Sequence, residues 1–398
     1  MSQMTSRERL LTALKGGMPD HVPVAPNITR WVRGNRGCCC LRHMLAAAEE
    51  FEFDPLLQLF VYTYNNISNN YIYSPGGGQN FSVDGMYGDL KVVDVEVRVE
   101  NRTDYVWYHR TFKTPAGILT DIIQWARPDM GYGDGPNPHR VEPLVKSEED
   151  LKAFSFLFPD PRRDLVADIP LIKKECGDRA LLAACDCLHF GAWGTEALGP
   201  ENMLIASVAE PELLKSVCRI VNDAHLKNLK AYLENGIEFV CDSWFQCSPS
   251  TGWSPTTYKN IFLPLVKEAV ALTHHYNAIY AYQDDGKMKD IIPLVVEAGA
   301  DVLSGLQPPD VGDVNLADVK KQYGSKVALI GGLDPCYTFD RGNVKTVRDC
   351  VKQAIKDAGG DGGFVIGTAE AIAPSVSSEL LRELSNSVRK YGKYTANT

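Results

Sequence analysis

Short apolar runs alternate with longer helical patterns through most of this 398-residue chain, and few architectures satisfy that alternation. The candidate strands are residues 22–26, 56–61, 181–186, 238–242, 278–282, 301–305, 327–331 and 363–367. Several, such as LLAACD and AIYAY, are continuously apolar, as strands are when both faces of a parallel sheet are covered. Between the later runs lie helical patterns at residues 211–236, 255–276, 287–299, 343–360 and 377–392, several of them ending in glycine. Eight strands with helical crossovers predict an α/β fold, a (β/α)8 TIM barrel. A doubly wound open sheet is the rival, but no GxGxxG follows a candidate strand.

Ahead of the first strand, Thr5 and Glu8 have the spacing of a capping box, and Leu10, Leu11 and Leu14 share one helical face. Residues 62–160 interrupt the repeat. The Asn/Gly-rich stretch 64–80 reads as a loop, whereas 90–101, 105–114 and 117–125 alternate apolar and polar residues as hairpin strands do. The expectation is one domain over residues 1–398, with an antiparallel β insertion after strand 2 on the active face.

The net charge of −9 argues against nucleic acid as the main partner, since phosphate binding needs a basic surface. No stretch approaches the roughly 20 apolar residues that span a bilayer, and the charged N-terminal segment does not read as a signal peptide. The expected compartment is the cytoplasm. The consecutive Cys38, Cys39 and Cys40 suit neither a disulfide framework nor regular metal spacing. Packing accounts for most cysteines in such a protein.

In a barrel, chemistry collects at the carboxyl ends of the strands. Polar residues there are Asn27, Thr29, Arg30 and Arg33, then Asp186 and His189, then Asp242, Trp244 and Gln246, then Gln283, Asp284 and Asp285. Gln307, Asp334, Cys336 and Glu370 follow. Each has a plain alternative. Asp285-Gly286 can be a turn or a helix cap, Asp334-Pro335 a turn, His189 a satisfied core residue, and the arginines a solvated face. Glu370, between Ala369 and Ala371, resists that treatment, because an unpaired carboxylate in an apolar strand end is costly. Asp242, Gln283, Asp285 and Glu370 together would line one mouth with oxygen atoms able to hold a cation or position a proton. Trp244, Trp253 and Tyr282 near the same loops suggest a flat apolar substrate.

Several segments resemble the uroporphyrinogen decarboxylase superfamily. They are TSRERLLTALKGGMPDHVPVAP, TPAGILT, SPTTYKNIFLPLVKEAV, DDGKMKDIIPLVVEAGADVLSGLQPP and VALIGGLDPCYTFDRGNVKTVRDCVKQAI. The resemblance covers nearly the whole chain and implies a barrel enzyme. True decarboxylases of that superfamily carry an arginine-rich motif after strand 1 and a histidine after strand 8. Here Arg30, Arg33 and Arg36 resemble the motif only loosely, and Glu370 stands at the histidine position. The corrinoid-dependent methyltransferase branch, which includes aryl ether demethylases, uses a His-x-Cys and Cys zinc site. Gln283, Asp285 and Glu370 occupy those positions, so zinc–thiolate chemistry does not carry over. An oxygen-rich zinc site remains open, with Cys336 or His189 as a softer extra ligand.

The leading expectation is therefore a methyltransferase moving a methyl group from a small donor, an aryl methyl ether among the candidates, to a corrinoid protein. Glu370, Asp285 and Asp242 would be catalytic. Gln283, Asp285 and Glu370 would hold a metal. Arg30, Trp244, Trp253, Tyr282 and His189 would contact substrate. The alternatives are a cofactor-free decarboxylase acting on a porphyrinogen or another carboxylate, and a non-catalytic binding protein of the same fold. A homodimer is compatible with the sequence.

Overall fold

The computed structural model describes residues 4–38, 40–59, 92–127, 130, 139–158, 169–185, 194, 197–309 and 311–394. Seven strands form a curled parallel sheet. They are β1 (Leu56–Gln58), β6 (Leu181–Ala184), β7 (Phe239–Ser243), β8 (Ile279–Gln283), β9 (Val302–Leu306), β10 (Ala328–Leu333) and β11 (Phe364–Thr368), adjacent in that order. Between β1 and β6 the chain builds a separate antiparallel sheet from β2 (Asp94–Asn101), β3 (Tyr105–Thr114), β4 (Gly117–Ala126) and β5 (His139–Glu142). The inserted hairpin pattern is thus a four-stranded sheet; the expected loop at 64–80 lies outside the described residues.

Strand periodicity divides the parallel sheet into two faces. On the inner face, Leu181, Phe239, Ile279 and Val365 pack with small residues such as Ala183, Ala281 and Ala328. Leu10, Ala13 and Leu14 of the first helix, Ser6–Leu14, join this cluster, so the helix covers the amino-terminal ends of the strands. The predicted capping box is present: Thr5 Oγ1 accepts from Glu8 N at 3.2 Å, and Glu8 Oε2 accepts from Thr5 N at 2.9 Å. The outer face, including Val240, Tyr280, Tyr282, Leu303 and Phe364, packs into the main core against the surrounding helices. Pro211–Glu234 is the longest of these, burying Leu214, Val217 and Val221. No helix among the described residues is long and apolar enough to cross a membrane.

The antiparallel sheet is attached through its side chains. Phe112 and Leu119 stand opposite each other in the β3–β4 register, and both enter the main core. Arg110 and Asp121 are likewise paired across the strands, with Nε to Oδ1 at 2.8 Å, and Arg140 of β5 contacts the same carboxylate. All three are buried, so the Asp121 carboxylate is held between two guanidinium groups where water cannot solvate it.

Residues 22–26 differ from expectation. They form no strand; a single parallel bridge joins Val24 to Ile366 of β11. The reason is what lies on their other side. Asp54 N donates to Val24 O at 2.7 Å, and Val24 N donates to the Asp54 carboxylate at 3.0 Å. A side chain here replaces a ladder partner. The other Asp54 oxygen accepts from Arg9 Nη1 at 2.5 Å, and Arg9 Nε donates to Asp20 at 2.6 Å. Arg9 and Asp54 are both buried. One carboxylate thereby ties the first helix, the 22–26 segment and the start of β1.

Removing one member of a buried ion pair leaves the other charge uncompensated. Asp54→Ala is expected to destabilise the fold by roughly 3–5 kcal/mol, read from urea or guanidinium unfolding. A loss under about 1 kcal/mol would mean that the pair carries no more than an exposed ion pair does.

Candidate functional site

The carboxyl ends of β7, β8 and β9 place a polar row on the inner face, directly above the apolar layer. Ser243 pairs with Gln283 in the β7–β8 register, and Gln283 with Ser304 in the β8–β9 register. Gln283 Oε1 accepts from Cys241 Sγ at 2.9 Å and from Ser243 Oγ at 3.4 Å. Cys185 Sγ lies 3.5 Å from Ser243 Oγ. Burial and the charge of Asp242 push the Cys241 thiol up to about 12, so it remains a thiol and donates. This row of cysteine and serine is not among the residues expected from the sequence. Its signal was present: Cys241 and Ser243 share parity with each other, and Gln283 lies opposite Ser243.

Asp242 and Tyr282 have the opposite parity. Asp242 points away from the inner face and accepts from Tyr280 Oη at 2.5 Å and Trp244 Nε1 at 3.0 Å, with His225 Nε2 3.3 Å away. Burial pushes its carboxyl up, but His225 and these donors outweigh burial and hold it below the ordinary carboxylate value. It is a saturated acceptor in the helical layer. Trp244 stacks on Tyr282 with centroids 6.3 Å apart and planes 8° from parallel. Trp253 donates to the Gln246 carbonyl at 2.8 Å and packs edge-on against Phe262. All three aromatics are buried, with protein on the surfaces expected to meet substrate.

Beyond the row stand the groups that can change charge. Glu370 follows β11, half-buried in a recess of protein atoms. Burial, then the nearby charge of Asp285, pushes its carboxyl up to about 7. Arg30, at the start of helix Thr29–Arg36, pulls weakly the other way. Arg30 itself is half-buried and makes no hydrogen bond or ion pair with another described residue. Asp284, fully buried, accepts from the Asp285 backbone N–H at 2.8 Å. Burial and the Asp285 charge raise its carboxyl well above the ordinary value. Burial also raises Asp285. Of the adjacent pair, Asp284 is the more strongly raised.

Glycine and amide contacts hold the loop bearing Asp285. Gly305 has φ +79°, and a Cβ there would lie 1.9 Å from the Asp284 carbonyl oxygen, so only glycine permits this approach. Gln307 Oε1 accepts from Gly286 N at 2.9 Å while its Nε2 donates to Asp334 at 2.8 Å. Asp334 in turn caps the turn carrying Cys336, accepting from Tyr337 N at 2.8 Å. Gln307 and Asp334 are therefore positioning groups. His189 and Asp186 lie outside the described residues.

The structure thus brings Arg30 and Asp285 each into electrostatic reach of Glu370, with Gln283 at the end of β8. It directs Asp242, Trp244, Trp253 and Tyr282 elsewhere. The Asp285, Glu370 and Cys336 ligand atoms do not converge as a metal trio. Among the described residues, the one such group of His, Cys, Asp or Glu with ligand atoms within 4.8 Å of one another is Cys38, Cys40 and His43.

The sequence profile described as uroporphyrinogen decarboxylase (URO-D) matches residues 129–391. The chain belongs to the URO-D family. Among its relatives, the uroporphyrinogen decarboxylase of Thioalkalivibrio sulfidiphilus is 24% identical over 300 residues, covering 71% of this chain and 81% of the relative. That of Pseudoalteromonas translucida is 26% identical over 305 residues, covering 71% and 80%. Among solved structures, a methyltransferase from Methanosarcina mazei superposes with a TM-score of 0.62 at 14% identity, covering 98% of this chain and 99% of that one. At that identity the likeness speaks for a shared fold. The URO-D assignment agrees with the superfamily resemblance of the sequence.

The raised Glu370 carboxyl has a consequence for stability. The unfolded chain ionises Glu370 near its ordinary value of 4.5, whereas the folded chain holds the proton up to about 7. Between those values the folded state binds the extra proton, so stability falls as pH rises through the interval. Glu370→Gln removes the cost of the buried charge. The variant is expected to exceed the parent in stability at pH 8, by about 1–3 kcal/mol at most, and to match it at pH 4.5. Denaturant melts at the two pH values measure this; equal stability at pH 8 would contradict the raised carboxyl.

Proposed function

We propose that this URO-D family chain is a methyltransferase that takes a methyl group from a small methyl ether and passes it to a corrinoid protein. The observation that carries the proposal is Glu370, whose carboxyl burial and the charge of Asp285 push up to about 7, so that a substantial fraction holds its proton at neutral pH. The fold is one that a methyltransferase from Methanosarcina mazei also has, so methyl transfer is compatible with it. The same reading completes the barrel: the 22–26 segment, bridged to β11 and hydrogen-bonded to Asp54, takes the place of an eighth strand.

Ether cleavage leaves the bonding electron pair on oxygen, and a bare alkoxide or phenoxide is a poor leaving group. Glu370 gives its proton to that oxygen as the carbon–oxygen bond breaks. The carboxylate so formed faces the Arg30 guanidinium. Asp285 keeps the Glu370 proton available by opposing the second negative charge. The corrinoid, when bound, supplies the nucleophile for the methyl group. As Gln283, Asp285, Glu370 and Cys336 stand, they offer no closed zinc set: Gln283 Oε1 is already taken by Cys241 and Ser243. The proton, rather than a cation, is therefore given the leaving group.

One observation favours a second reading. Arg30, which makes no hydrogen bond or ion pair with another described residue, suits a substrate carboxylate, and the named relatives are decarboxylases. In that reading Glu370 would protonate the carbanion left by loss of carbon dioxide.

Assays of phenol release from an aryl methyl ether in the presence of a corrinoid protein, and of carbon dioxide release from a porphyrinogen, separate the two. Methyl transfer is expected to decline as pH rises through about 7, the carboxyl value at Glu370. Glu370→Gln is expected to lower the rate by about 100- to 10,000-fold and to abolish that decline. A full-rate Glu370→Gln enzyme would end the acid role. Carbon dioxide release lost in Arg30→Ala, without any demethylation by the parent, would favour decarboxylation.

A further inference from the structure

The turn between helices Thr29–Arg36 and Leu41–Phe51 gathers three metal-ligating side chains away from the strand ends. Gly37, at φ 81°, ends the first helix in the left-handed region, and Cys40 is the N-cap residue of the second. Cys38 Sγ lies 2.7 Å from Cys40 Sγ and 3.2 Å from His43 Nδ1. His43 is in the first turn of Leu41–Phe51, so the helix delivers the imidazole beside sulfurs that the turn presents. The three ligand atoms lie within 4.8 Å of one another. Cys38 and His43 are partly exposed, so a cation can enter from solvent.

We propose that Cys38, Cys40 and His43 bind a thiophilic metal ion, zinc being the fitting probe, with water or a further ligand completing the coordination. Two thiolates and an imidazole form a ligand set suited to zinc. Consecutive cysteines looked wrong for a metal when only chain spacing was weighed; the helix supplies the third ligand that spacing did not reveal. The imidazole also distinguishes this group from a thiol pair about to form a disulfide, which has no need of it. His43 Nδ1 lies 3.1 Å from the Cys38 carbonyl oxygen, and a proton on Nδ1 can be donated there while the site is empty. Moving that proton to Nε2 frees Nδ1 for the cation.

Tetrahedral zinc with bonds of about 2.3 Å to sulfur sets two thiolates about 3.7 Å apart. Binding therefore parts the sulfurs by about 1 Å, a shift confined to one turn. Burial and the neighbouring Cys38 raise the Cys40 thiol, opposed by the His43 backbone N–H and Arg42, so metal entry must displace its proton. The site fastens two helices at the edge of the fold and takes no part in the proposed methyl transfer.

The test uses reduced, full-length protein, zinc chloride and a competing chromophoric chelator. One zinc per chain is expected, released on acidification. Binding should weaken by roughly 100-fold or more in Cys38→Ser, Cys40→Ser and His43→Ala, each checked for folding by circular dichroism. An Asp285→Asn, Glu370→Gln double variant should bind as the parent does. Zinc lost only in that double variant would place the metal at the strand ends and overturn the proposal. So would unchanged binding in His43→Ala, absence of zinc binding by the reduced parent, or zinc-resistant formation of a Cys38–Cys40 disulfide in non-reducing peptide mass spectrometry.

Discussion

A single buried carboxylate, Asp54, organises the edge on which the curled sheet depends. It reaches backbone N–H and the Arg9 guanidinium at once, and Arg9 passes the connection to Asp20. Parallel sheets leave open edges unless something covers them. Here the cover is a short segment that borrows a side chain in place of a ladder. The first helix is locked to the same group, so its apolar face is held under the sheet interior rather than left to find it. Every group at the opposite end of the strands inherits its position from that closure.

Above the apolar layer, the electrostatics follow from how few cations are supplied. Asp284 and Glu370 both feel the charge of Asp285, and the Arg30 guanidinium acts on Glu370 in the opposite sense. Burial raises all three carboxyls, and the charge of Asp285 raises Asp284 and Glu370 further. Asp242, equally buried, shows the contrast: donors surround it, and it has no reason to keep a proton.

The alternation of apolar runs and helical patterns located seven strands of the parallel sheet, because continuous apolar stretches such as 278–282 have few other uses. The eighth run, 22–26, was misread as a strand because its apolarity says nothing about whether its hydrogen bonds go to a ladder or to Asp54. Chain position placed Gln283, Asp285 and Glu370 at or just after the carboxyl ends of their strands, as the structure has them. It could not fix the direction of Asp242, Trp244 and Tyr282, since parity depends on where each strand begins relative to the inner face. Nor could chain position separate Asp284 from Asp285, because the full burial that distinguishes Asp284 depends on the packed fold. The Cys38–Cys40–His43 convergence was illegible because a helix start, not a spacing rule, brings the imidazole round.

The two-faced build of β7 and β8 has a further consequence for how such a chain can vary. Odd-numbered residues from Phe239 to Ser243 and from Ile279 to Gln283 look inward, and even-numbered ones look toward the helices. The outward set interlocks through the His225, Asp242, Trp244 and Tyr280 contacts, where one change strands several partners. The inward set near the mouth consists of small polar side chains meeting mainly at one glutamine oxygen. Evolutionary drift is thus cheap on one parity and dear on the other, and a lineage can exchange its reactive lining while its scaffold stays still.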